Sequence, residues 1–554
     1  MSANILTPLL LWRNFSLDRK ARTEIVSTKQ TATLTLQKLY IDGRSTKQGT
    51  VKAYCVSARP KDLDGDLPTV IVFTGDGMEE EKIASYIAKN GYYAFVVNMY
   101  GKKEGKESFT IYPDDISYAN YEECKDHLQK VKKDVKHTCW YEWSALARYV
   151  YNAVKGMDGV GRIGAVGIKE YATPVWHLSA NEELSCMATL FGFGWETNRG
   201  IYKFGDETEP KFSDEALMFV AGVEAESYAM HVKCPSMVLT STNHRTCDVD
   251  RAHDTLSKIK EGIHKIADYS VNYTHALSQE SLSNLEKFFD LHLRGDMPTC
   301  STKCEIHAEV KMGKVLFELL CDDACVNDAE LYVAEQIVDP KLRCWKRIIS
   351  TVRDGGKFNF EYLPYAESER VMYFAKIKNG DGLTFCSPIT CKKFLSSEII
   401  VSNKSNVIYS GRDENAESVF APYDETGKLV IKADFDVVEK GGPMGIKGMY
   451  SALGVQTFRI NAKKYRPKDD AILMFDAYSK GPNVVTVKLI VDGEYKTVYK
   501  TSKEINGGRL WYNFKFEKAK FKTNEGMILK SYEKVTRIVF EFENSGLINN
   551  VLWV

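Results

Sequence analysis

The run Pro68-Thr69-Val70-Ile71-Val72-Phe73 is almost continuously apolar, so a strand built from it has no face to offer water. Such a strand belongs inside a sheet covered on both sides, which is the habit of parallel sheets flanked by helices. It is followed by Thr74-Gly75-Asp76-Gly77, a helical stretch over 79–90 and a second buried strand over 92–98. A long helix over 140–155 then places Trp143, Leu146, Ala147, Val150 and Val154 on one face. The alternation continues with a strand over 162–166, a turn at Gly167, a helix to Ala180, strands over 187–191 and 236–241, a helix over 252–265, a short strand over 269–273 and a helix over 281–293. Ahead of the series, 31–39 and 50–58 carry β-rich alternating patterns with Asp42-Gly43 as a turn signal between them. Strand and helix in steady succession predict an α/β domain with a mostly parallel sheet and helices on both faces.

The character changes at about residues 295 and 395. From 296 to 395 the segments 304–311, 314–320, 329–335, 345–349, 357–362 and 370–378 read as short strands separated by turns such as Asn379-Gly380-Asp381-Gly382, which predicts an immunoglobulin- or fibronectin-like sandwich. From 396 to 554 the chain is again all-β, with its clearest strands over 428–436, 471–477, 484–491, 496–499, 510–516 and 537–542. The expected organisation is therefore an α/β domain over 1–295 and two all-β sandwich domains over 296–395 and 396–554. A chain of 554 residues is too long for one core, which agrees with such a division.

Seventy-four basic and 74 acidic side chains cancel to a net charge of +0, leaving no electrostatic pull toward nucleic acid or an anionic membrane. No stretch approaches the roughly 20 uninterrupted apolar residues of a membrane span. The segment Ile5-Leu6-Thr7-Pro8-Leu9-Leu10-Leu11-Trp12 has no basic residue ahead of it and no small-residue cleavage site, so it does not read as a signal peptide, and a cytoplasmic location is expected. Thirteen scattered cysteines fit free thiols. The pairs Cys300/Cys304 and Cys321/Cys325 are spaced wrongly for a zinc knuckle, and neither a metal nor a cofactor is expected. A small-molecule or carbohydrate ligand is compatible with the composition, and the oligomeric state is not specified by it.

Three stretches, Leu67 through Gly77, Gly91-Tyr92-Tyr93-Ala94-Phe95-Val96-Val97-Asn98 and Cys234 through His244, stand in the order and spacing of the α/β-hydrolase superfamily. Residues of about 30–295 resemble its dienelactone hydrolase and acetyl xylan esterase type. The closing segments, 535–542 and 549–554, resemble the last strands of galactose-binding-like jelly rolls, which include carbohydrate-binding modules.

The resemblance implies positions for an acyl-transfer site. Its nucleophile belongs in a G-x-S-x-G turn between strand and helix, and the chain carries Gly167-Ile168-Lys169-Glu170-Tyr171 there, with Lys169 at the nucleophile and Tyr171 at the closing glycine. Gly75, Asp76 and Gly77 fall at the oxyanion loop, His275 at the base and His244 at the acid. Asp248 and Asp250 lie close to the acid position, but Asp250-Arg251-Ala252 reads as a capped helix start. A protonated lysine has no lone pair for attack, and three departures at one site predict a hydrolase scaffold released from hydrolysis and used in binding or assembly. Two alternatives are an active carbohydrate-ester or lactone hydrolase with a displaced nucleophile, and a carbohydrate-binding protein whose C-terminal jelly roll presents Tyr478, Trp511 or Tyr512 to a sugar. The aromatic stretch Phe193, Trp195, Tyr202, Phe204 and Phe212 reads as a packed insertion with its own small core, or else as a lid over a pocket.

Overall fold

The structure, a computed structural model, describes residues 4–17, 22–206, 211–295, 298–322, 326–365, 370–395, 399–400, 402–412, 414–424, 435–492 and 496–554. Its first part is a nine-stranded sheet built from β1 (Thr23–Gln30), β2 (Leu34–Ser45), β3 (Thr50–Pro60), β4 (Leu67–Thr74), β5 (Tyr93–Asn98), β6 (Val160–Ile168), β7 (Cys186–Leu190), β8 (Ser236–Ser241) and β9 (Lys265–Ser270). The strand order is β1-β2-β3-β5-β4-β6-β7-β8-β9. From β5 through β9 every neighbouring pair is parallel, while β1, β2 and β3 run as an antiparallel meander and β3 joins β5 antiparallel. The apolar run that opened the sequence reading is β4, central in this order and buried from Thr69 onward, so its lack of a polar face matches its place. The sheet is of the α/β-hydrolase kind, and the two further parts of the chain are all-β sandwiches.

Several element boundaries differ from expectation for identifiable reasons. Asp42-Gly43 is not a turn: both residues lie inside β2, whose pairing with β3 shifts between Asp42 and Ser45. A Cβ on Gly43 would meet Leu146 Cδ1 at 2.8 Å, so this glycine lets the helix Cys139–Lys155 approach the strand, and the chain reverses instead at Thr46–Gly49. The helix expected over 252–265 ends at Leu256, and Gly262, at φ +86°, turns the chain into β9, which begins four residues before the strand expected at 269–273. The edge strand β1 is exposed along its whole length and therefore carries no burial pattern to find.

The next part pairs one sheet of order β10-β11-β15-β14 with another of order β13-β12-β16-β17, β18 also pairing with β16. Here β10 is Cys304–Lys311, β11 Lys314–Cys321, β12 Asp328–Glu335, β13 Lys346–Ile349, β14 Val352–Asp354, β15 Lys357–Tyr362, β16 Arg370–Lys378, β17 Thr384–Cys386 and β18 Thr390–Lys393. Its core continues without a break into that of the α/β part: Tyr269 of β9 packs on Phe374 at 5.4 Å between ring centroids, and Phe374 on Trp345 at 4.9 Å. Polar ties reinforce the seam. Arg343 grips Asp250 with both terminal nitrogens, and both side chains are 0% exposed. Asn284 bridges to the backbone of Thr384, and Lys376 reaches both Asp268 and Glu280.

The last part, a five-stranded and a six-stranded antiparallel sheet, encloses a separate core around Phe475, Val487, Phe540 and Trp553. The strand expected over 428–436 lies, except for its last two residues, outside the described residues. No helix among the described residues is long and apolar enough to cross a membrane.

Candidate functional site

The C-terminal ends of the parallel strands gather the residues that the sequence singles out. Lys169 follows β6 directly and takes φ +55°, then a single 3-10 turn over Lys169–Tyr171 leads into the helix Ala172–Asn181. A side chain in this left-handed region is held on a sharp bend at a cost of roughly 1–3 kcal/mol. Two glycines make the bend possible. A Cβ on Gly167 would stand 2.5 Å from Ala172 Cα and Tyr171 O, and one on Gly192 would stand 2.4 Å from Ala172 Cβ. The tight approach that a closing glycine would serve is thus met by Gly167, Gly192 and the small Ala172.

Tyr171 does not crowd the turn as its size suggests, because its ring leaves the bend and fills space over the loop at Gly75. It lies against Trp143 at 5.1 Å between centroids and is 3% exposed, and its buried hydroxyl has no hydrogen-bond partner among the described residues. A Cβ on Gly75 would be 2.3 Å from Tyr171 Cε2, so Gly75 gives up its own volume to this ring. Asp76 points elsewhere, to Lys103 and Lys106, and these two ammonium groups outweigh its partial burial and hold its carboxyl below the usual range. Gly77 continues the loop at φ +77°.

His275, on the loop after β9, and His244, after β8, come together with ring centroids 5.2 Å apart and planes nearly perpendicular. His244 stacks on Phe191 at 4.7 Å and is 6% exposed. Its Nδ1 accepts from the backbone N–H groups of Thr246, at 3.3 Å, and Cys247, at 3.2 Å. Burial, then His275, Lys169 and Arg199, push the His244 pKa well below its ordinary value. The ring is accordingly neutral with its proton on Nε2, a buried atom that has no partner among the described residues. A triad acid has to accept a proton-bearing nitrogen from the base; this side chain presents a donor. His275 is held down to about 4 by burial and by Lys169, with Arg537 and Arg245 adding to the effect and Asp424 opposing it.

The nearby aspartates are engaged in structure. Asp248, not Asp250, is the N-cap of the short turn that starts there, accepting from Asp250 N at 3.2 Å, and it also pairs with Arg251. Asp250 is the partner of Arg343. Cys247, the thiol nearest this loop, donates to Phe191 O at 2.9 Å, and burial pushes its pKa well up, away from thiolate character.

Two charges acting on His275 were not legible as site residues in the sequence: Asp424 and Arg537 come from the last sandwich, about 150 and 260 residues away. That sandwich lies against the His275 loop. Thr274 Oγ1 donates to Asp424 O at 3.4 Å, Gln456 Nε2 donates to Thr274 Oγ1 at 3.4 Å, and Arg537 Nη1 donates to Gln456 Oε1 at 2.9 Å. Tyr273 Oη and the Gln279 N–H both reach the Asp436 carboxylate.

Other singled-out side chains are absorbed into packing. Trp195 donates to Thr255 Oγ1 at 2.8 Å, Tyr202 donates to Asp339 at 2.9 Å, and Arg370 holds the carbonyl of Phe204, so the aromatic stretch clasps the first sandwich. Trp511 packs on Tyr478 and covers Gly442 and Gly448, and Tyr512 Oη donates to Gly507 O at 2.6 Å, which leaves these rings framing the last sandwich. Cys304 and Cys321 face each other across β10 and β11, while Cys325 lies outside the described residues. Among the described residues no group of three or more His, Cys, Asp or Glu side chains is arranged to hold a metal ion.

No protein-family profile and no curated protein matches the chain. Solved structures similar to it include an acetyl xylan esterase from a Paenibacillus species, at 13% identity and a TM-score of 0.39 over 52% of this chain and 92% of that one. Acetyl xylan esterase 1 from a Thermoanaerobacterium species matches at 13% identity and a TM-score of 0.36, over 49% of this chain and 88% of that one. Est1E of Butyrivibrio proteoclasticus, with ferulic acid bound, matches at 13% identity and a TM-score of 0.32, over 44% and 95%. The fold assignment rests on the strand order and not on these scores.

Proposed function

We propose that this chain is a hydrolase-fold binding protein, whose elbow site holds a small anion-bearing molecule and forms no acyl-enzyme. The observation that carries this reading is Lys169 itself, held at φ +55° on the bend where the fold presents a nucleophile. The surroundings support it. Lys169, Arg245 and Arg537, the last also paired with Asp492, act on His275 against Asp424, and His244 contributes a buried N–H. Such a site offers positive potential and donors to a carboxylate or phosphate, and the hydroxyl that meets a ring nitrogen there, Thr246 Oγ1 at 3.3 Å from His244 Nδ1, faces a nitrogen already taken by two backbone N–H groups.

A second reading, an active carbohydrate-ester or lactone hydrolase with its nucleophile displaced, is favoured by one observation. The left-handed backbone at Lys169 is costly, and strain of this kind persists chiefly where a site uses it. The two readings separate in one experiment on the full chain, using p-nitrophenyl acetate and a fluorophosphonate probe. The binding reading expects turnover no greater than that of the His275→Ala variant and no labelled residue. Turnover lost in His275→Ala together with stoichiometric labelling of one serine overturns it in favour of the hydrolase.

A further inference from the structure

The two sandwiches enclose a cavity of about 530 Å³ that shares no lining residue with the elbow site. We infer that this cavity is a binding site for a planar carboxylate, a ligand with a flat apolar body and one anionic end. The volume suits a small organic molecule.

Charge decides which end the ligand needs. Among the described residues, Lys346, Arg459, Lys463, Lys464 and Arg466 line the cavity against Glu335 and Glu533. The carboxylates at hand are already engaged. Glu335 accepts from Tyr362 Oη and from the Tyr365 N–H, and Glu414 takes both terminal nitrogens of Arg459 at 2.6 and 2.7 Å. Among the described residues neither Lys346, at the start of β13, nor Lys464 has an ion-pair partner: Lys346 lies over the Tyr362 ring at 5.8 Å, and Lys464 Nζ reaches Ser402 Oγ at 3.4 Å and the Tyr465 ring at 5.9 Å. Burial, together with Lys464 and Arg459, pushes the Lys346 pKa down, with Glu414 and Glu335 opposing them.

The walls specify the other end. Tyr365 and Tyr465 line the cavity half-buried, and Arg459 stacks over Tyr465 at 4.7 Å, so a flat ring entering here meets aromatic surface. Trp345 lines the cavity too, is 1% exposed, and keeps a buried indole N–H with no acceptor among the described residues. The ligand's carboxylate would complement Lys346 and Lys464.

The test titrates the full chain with 2-naphthoate and, in parallel, with 2-naphthamide, which has the same shape and no charge. Saturable one-site binding of the naphthoate is expected, with the naphthamide weaker by about tenfold or more, the factor a charge-assisted contact contributes. Lys464→Met, at the half-exposed side of the cavity, should weaken the naphthoate by about tenfold, Lys346→Met by at least as much, and Lys346→Arg should restore most of the loss. Inorganic phosphate should compete poorly, because it lacks the flat body; competition as strong as that of unlabelled naphthoate would assign the site to a bare anion and overturn the planar-carboxylate inference. Equal affinity for acid and amide, no saturable binding, or unchanged affinity in Lys464→Met overturns it as well. Lys464→Met keeps the test decisive should Lys346→Met fail to fold.

Discussion

Replacing Gly75 by alanine tests whether the Tyr171 ring occupies the space over the loop after β4. Gly75 does not use the left-handed region, so alanine brings no backbone strain there and the effect is steric. The new Cβ would lie 2.3 Å from Tyr171 Cε2 and 3.1 Å from Cζ and Oη, where carbon atoms pack at about 3.5–4.0 Å. The ring would have to retreat by more than about 1 Å, but it is 3% exposed and packed on Trp143 at 5.1 Å, which leaves it little room. Overpacking of this kind costs about 1–3 kcal/mol. Tyr171→Ala alone should cost about 3–5 kcal/mol, as deletion of a buried aromatic does. In the double variant the alanine methyl enters the space the ring has left, so the Gly75→Ala penalty should vanish, giving a coupling of about 1–3 kcal/mol. Urea unfolding of the four proteins, compared at the first transition because a multidomain chain need not unfold in one step, measures it. An equal Gly75→Ala penalty with and without the Tyr171 ring would refute the steric account.

Three further expectations follow from the same geometry. Lys169→Met should raise the His275 pKa above its present value of about 4, and Asp424→Asn should lower it, both read from imidazole NMR titrations; no change in either variant would show that these groups do not face the ring. Asp250→Ala should destabilise the chain by about 3–5 kcal/mol, and adding Arg343→Met should recover much of that, because the loss comes mainly from a buried guanidinium left unpaired. His177, fully buried with Nε2 donating to Val223 O, is held by burial down to about 3, so between pH 6.5 and 3 the unfolded chain takes up its proton while the folded one does not. Stability should therefore fall as pH drops through that window, by up to about 1.4 kcal/mol per unit from this group, and His177→Phe, which can keep the stack on Tyr228, should show a shallower fall in pH-dependent unfolding.

The parallel core of the sheet was legible because burial on both faces leaves a composition signal that needs no partner to interpret: β4, β5 and β8 fall within one residue of their expected limits. Elements whose limits depend on long-range packing were not legible. Gly43 resembles a turn glycine in any local window, and only the helix carrying Leu146 explains it. The exposed β1 presents no alternation because it has no buried face. The continuity of the α/β core with the first sandwich through Tyr269, Phe374 and Trp345 is equally hidden, since each ring reads locally as an ordinary core residue.

At the site, the sequence supplied residue identities but not their consequences. Tyr171 in place of a glycine suggested a spoiled bend, yet the bend survives because small residues at 167, 172 and 192 carry the close approach and the ring turns aside onto Gly75. His244 in place of an acid suggested a simple loss; its Nδ1, taken by two backbone N–H groups, fixes the opposite polarity, a donor where the fold's chemistry needs an acceptor. A carboxylate that opposes the cations around His275 arrives from another sandwich, Asp424, where no local pattern announces it. Two of these findings share a physical direction: the Tyr171 ring fills the space over Gly75, and His244 carries a donor N–H. That pair fits the proposed reading, in which the elbow holds an anion, better than one in which a carboxylate orients His275.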